Sequence, residues 1–89
     1  MVGQEKLIAS EVHGLLLEAR PQADDANLAR AAELTSCPDL IAHDELRTKV
    51  FQAIQRLQNA IADGAGASEA EDQLLDAISA AEHWVRGYP

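Results

Sequence analysis

Three histidines, one cysteine and fifteen carboxylates are the residues of this 89-residue chain best equipped to do chemistry. Metal binding by a helix needs ligands that share a face, as in an i, i+4 pair. His13, His43 and His83 offer no such pair, and the chain has no Cys-x-x-Cys. Asp39 and His43 are four apart, but they flank an expected helix start, where aspartate is common as a cap. Nucleophilic catalysis needs a thiol or hydroxyl activated by a neighbouring base or cation. Cys37 precedes Pro38 with no such group close in sequence, which reads as a half-buried loop thiol. Asp24 and Asp25, and Glu69, Glu71 and Asp72, fall in expected first helical turns, where the helix dipole favours negative charge. No catalytic residue, cofactor or metal site is assigned, and the chain is not expected to be an enzyme.

One short stretch has a family resemblance. His83-Trp84-Val85-Arg86-Gly87 resembles the His-x-x-Lys-Gly motif of histidine phosphotransfer domains, with Arg86 in the lysine's place and Gly87 matching. That resemblance covers only these residues. It implies a helical bundle in which His83 accepts a phosphoryl group steadied by a nearby cation. Arg47, Lys49, Gln52, Gln55, Arg56 and Asn59 form a mildly basic stripe without interleaved aromatics, which reads as a solvated face.

Composition limits what scaffold can carry these residues. The chain has 17 Ala, 11 Leu and 5 Ile, but one each of Phe, Trp and Tyr. Ala and Leu are strong helix formers, whereas β-branched and aromatic strand formers are scarce. The formal charge of −8 has the wrong sign for a phosphate-binding surface, so no nucleic-acid partner is expected. It suits solubility or a basic protein partner. Carboxylates imitating phosphates would make a nucleic-acid mimic, but most of these sit at helix caps. The single cysteine excludes an internal disulfide and fits a reducing compartment. The opening residues MVGQEKLIAS read neither as a signal peptide nor as a membrane span, and Gly3 is one place late for myristoylation. A cytoplasmic location without membrane attachment is expected.

The periodicity predicts an all-α fold, a single domain over 1–89, built as a small antiparallel bundle of three long helices and one short one. The first segment, from about Gln4 to Arg20, turns Ile8, Val12, Leu15, Leu16 and Ala19 to one side and stops at Pro21. Asp24 or Asp25 caps a short second helix ending near Thr35, with Leu28, Ala31, Ala32 and Thr35 inward. Leu40 and Ile41 follow as an apolar bridge. The third helix, Asp44 to Ala62, has the clearest stripe in Leu46, Val50, Ala53, Ile54, Leu57 and Ile61. Gly64 is placed to end it in the left-handed conformation. Ser68 and Glu71 make a capping box for the fourth helix, whose inner face is read as Leu74, Ile78, Ala81 and Val85. On this reading Leu57→Ala and Ile78→Ala each cost roughly 2–4 kcal/mol.

Apolar residues that miss these stripes are the remaining clue to use. Leu17 lies about 160° from the centre of the first inner face, and Phe51 about 115° off the third. Trp84 and Tyr88 stand in a second row with Ala77 and Ala81. Leu17, Phe51, Trp84 and Tyr88 are therefore the expected partner-binding residues. The sequence reads as a non-enzymatic protein-interaction module, a small acidic inhibitor or regulator that binds a protein partner and self-associates as a homodimer. Trp84→Glu is then expected to separate the copies without unfolding them.

Overall fold

In the computed structural model, which describes residues 2–22, 24–36 and 43–88, the chain is an all-α bundle of four helices. They are α1 (Val2–Glu18), α2 (Ala26–Thr35), α3 (Asp44–Ala62) and α4 (Ala67–Arg86). Cys37, Asp39, Leu40 and Ile41, named above, lie outside the described residues. Helix α1 packs on α2 and α4, and α3 packs on α2 and most extensively on α4. The molecule measures 39 × 20 × 19 Å. None of the described helices is long and apolar enough to cross a membrane.

Local chemistry sets the helix ends. The Asp25 carboxylate accepts from the Leu28 N–H at 3.0 Å, a side-chain N-cap that satisfies one of α2's unpaired donors. Its other oxygen accepts from the Arg20 N–H at 3.0 Å, so one carboxylate both starts α2 and holds the turn behind it. Gly64 follows α3 with φ +87°, a conformation costly for any residue with a Cβ. The expected capping box at Ser68 does not form. Gly66 is the N-cap in extended conformation, and Ala67 already belongs to α4, so Ser68 sits one place inside the helix.

Among the described residues the core is rich in alanine: Ala9, Ala31, Ala53, Ala70, Ala77 and Ala81 are all buried. Small side chains at contact positions bring helix axes together, leaving room for a few large groups. Val12 and Leu16 come from α1, Leu28 from α2, Val50, Ile54 and Leu57 from α3, and Leu74 and Trp84 from α4. Thr35 is buried with them, and its hydroxyl donates back to the Ala31 and Ala32 carbonyls at 2.9 and 3.1 Å. Arg47 donates to the Thr35 carbonyl and pairs with Asp44 at 2.6 Å, tying the start of α3 to the end of α2. The guanidinium is therefore engaged in the fold, not part of an open basic stripe.

The inner face of α4 departs from its sequence reading. Ala70, Leu74, Ala77, Ala81 and Trp84 are buried, while Ile78 and Val85 are only half-buried. At 100° per residue the face is rotated by about 50° toward the alanine row. Ile78→Ala is accordingly expected to cost less than a full core truncation.

Candidate functional site

Trp84 and Tyr88, expected on a contact surface, are core residues. Trp84 is 0% exposed and Tyr88 5%. The reason is the rotation of α4: alanines 77 and 81 face the core, and the two aromatics continue their row by one and two turns. The Trp84 indole N–H donates to the Tyr88 hydroxyl oxygen at 3.0 Å, giving the buried ring nitrogen its partner. The His43 ring meets Tyr88 edge-on, with ring centroids 4.7 Å apart.

The surroundings of that cluster explain its chemistry. His43 is the N-cap of α3, held at φ 55° and ψ 37°, a left-handed conformation that histidine tolerates better than most residues. It makes no side-chain cap bond, and its ring lies against Tyr88 instead. Gly87 sits so close that a Cβ there would lie 2.8 Å from Leu46 Cδ1. Burial pushes the Tyr88 hydroxyl above its ordinary pKa of 10.0; the Glu5 carboxylate adds to the rise, and the bond from Trp84 works against it. At neutral pH Tyr88 is thus a protonated phenol held in packing, suited to structure more than to proton transfer.

A pH prediction follows from the sign of that shift. A phenol with its pKa raised in the folded state binds its proton more tightly there than in the unfolded chain. It contributes stability that is complete below about pH 10 and lost as pH climbs through the folded value. Melting temperature should therefore fall on the alkaline side, and Tyr88→Phe should flatten that fall. As the chain has one tyrosine, tyrosinate absorbance reads the same ionisation directly. An alkaline limb unchanged in the Phe variant would contradict this assignment.

Elsewhere the candidate residues are scattered. His83 is exposed on α4, in a groove of about 430 Å³ lined by Leu46, Lys49, Asp76, Ser79 and Ala80. Arg86, the cation of the phosphotransfer resemblance, pairs with Glu82 at 2.5 Å. His13 is half-buried on α1, far in sequence from the His43 ring. No group of three or more His, Cys, Asp or Glu able to hold a metal ion occurs among the described residues.

Of the expected contact residues, Leu17 is 58% exposed, and Phe51 is half-buried at the edge of the core. Two exposed leucines were missed: Leu7 at 72% and Leu75 at 61%. Leu7 was legible, since it falls on the same outward face of α1 as Leu17. Leu75 was hidden by its neighbour, because Leu74 beside it took the inward role. Around Leu75, α4 exposes Glu71, Asp72 and Asp76. The structure therefore provides a bundle scaffold with separated leucines on a carboxylate-rich exterior. No protein-family model matches the chain, and no curated protein and no solved structure matches it.

Proposed function

We propose that this chain is a non-enzymatic protein-interaction module of the cytosol, a small acidic regulator or inhibitor on an antiparallel bundle of three long helices and one short. The observation that carries the reading is the exposure of Leu7, Leu17 and Leu75, at 58–72%, on a chain of net charge −8. Exposed apolar side chains that share a face can anchor a contact surface, and Leu7 and Leu17 share the outward side of α1. Helix α4 carries five carboxylates against one arginine, and a partner with basic groups around an apolar anchor complements Leu75. The antiparallel arrangement is supported at both ends of the α3–α4 pair. Asp63–Gly66 joins them at one end, and at the other Gly87 and Tyr88 lie against Leu46 and His43. The phosphotransfer reading is weaker, because Asp76 lines the groove of His83 and Glu82 occupies Arg86.

Leu75→Glu tests the reading. Wild type and variant are immobilised side by side and exposed to proteins of the source cell, with circular dichroism confirming equal helicity. A protein retained by wild type should be lost, or bound about tenfold more weakly, by the variant, the expected effect of removing one apolar anchor. Equal retention by both would remove Leu75 from the contact surface.

A further inference from the structure

The outward face of α1 carries a regular pattern of exposed residues. Leu7, Ser10, Gly14 and Leu17 recur at alternating spacings of four and three residues on one stripe, and all four are exposed. Gly14 stands inside a 17-residue helix, where glycine weakens the helix relative to alanine. A Cβ at Gly14 would meet nothing within 4 Å, so packing within this chain does not call for a glycine there. Close approach of a second backbone does.

The flanks of the stripe identify that backbone. In heptad terms Leu7 and Gly14 are a positions, and Ser10 and Leu17 are d positions. The g positions are then Lys6, a cation, and His13, whose ring can donate a hydrogen bond, and the e positions include Glu11 and Glu18, both acidic. In a parallel two-stranded pair each g position faces the following e position of the other helix. Lys6 of one copy would lie beside Glu11 of the other, and His13 beside Glu18, each pair occurring twice under two-fold symmetry. An antiparallel pair sets g beside g and e beside e, which brings Glu11 and Glu18 of the two copies together. The charge pattern therefore fits a second copy of this helix, running parallel.

We infer that the exposed face of α1 binds a second copy of the chain in parallel, with Leu7 and Leu17 closing the two ends of a seam and Ser10 and Gly14 letting the backbones approach between them. The net charge of −8 does not forbid this pairing. Helix α1 carries Glu5, Glu11 and Glu18 against Lys6, and Glu5 is buried, whereas α4 holds the largest share of the negative charge. At physiological salt, charges more than about 8 Å from the seam are largely screened. This inference deepens the interaction-module reading by naming one partner, and it uses a face separate from Leu75.

Sedimentation equilibrium of the full chain over a range of concentrations tests it. The wild type should be a reversible dimer, and Leu7→Glu and Leu17→Glu should each weaken it by about a hundredfold or more, since every substitution removes a leucine from both copies. Glu11→Lys should weaken the dimer by placing like charges at the seam, and adding Lys6→Glu should restore it. Direction is read by disulfide trapping in a Cys37→Ser background. Leu7→Cys should cross-link to itself in the parallel dimer. Cross-linking only between Leu7→Cys and Leu17→Cys chains would overturn the parallel register. A monomer at every concentration, or a dimer indifferent to Leu7→Glu and Leu17→Glu, would overturn the pairing altogether. The Leu75→Glu comparison would still judge the wider reading separately.

Discussion

Trp84→Glu is expected to unfold the bundle. The indole is fully buried and makes its hydrogen bond inside the core, so removing it leaves a large cavity and a Tyr88 hydroxyl without its donor. Truncation to alanine alone costs about 3–5 kcal/mol. A domain of this length has on the order of 4–13 kcal/mol in total. Glutamate adds the desolvation of a charge in the core, a further penalty of several kcal/mol. Circular dichroism at room temperature should show a loss of most helical signal for Trp84→Glu and a lowered melting temperature for Trp84→Ala. A Glu variant that keeps a wild-type spectrum would mean that Trp84 lies at the surface, as its place on the helical wheel first implied.

The second large effect separates Leu57 from Ile78. Leu57 is fully buried on the inner face of α3, and Leu57→Ala should cost roughly 2–4 kcal/mol, since neighbouring helices collapse only partly into the space left. Ile78 is half-buried on the shoulder of α4, and Ile78→Ala should cost about 1–2 kcal/mol, in proportion to the smaller area it hides. Urea titration of both variants measures the difference. Equal costs would place the inner face of α4 where the sequence pattern put it, centred on Ile78, and not on the alanine row.

That pair of residues also shows what the sequence could and could not convey. In α3, Val50, Ile54 and Leu57 are the bulkiest groups on their side, so the stripe and the buried face coincide. In α4 the bulky residues Ile78 and Val85 pull the apparent stripe away from Ala70 and Ala77, although Leu74 and Ala81 belong to both faces. Alanine adds little hydrophobic weight to a wheel, yet it occupies the closest contacts between helices, and those contacts fix the rotation. Once the rotation is known, Trp84 and Tyr88 move inward together and leave Leu75 outside. Helix ends follow the same division. Asp25 and Gly64 act through their own side chain or backbone and were legible. The left-handed His43 places its ring against Tyr88, which is 45 positions further along, and no local pattern announces that contact.

The packing of Trp84 against Tyr88 gives the molecule an optical gauge at one end. Its only indole and its only phenol are bonded to each other, beside the His43 ring that begins α3. Ultraviolet-excited emission from this chain therefore samples the place where α3 begins and α4 ends, and carries little direct information from α2. Far-ultraviolet ellipticity weights every helix by its length. The two signals together distinguish the loosening of a single corner from the melting of the whole.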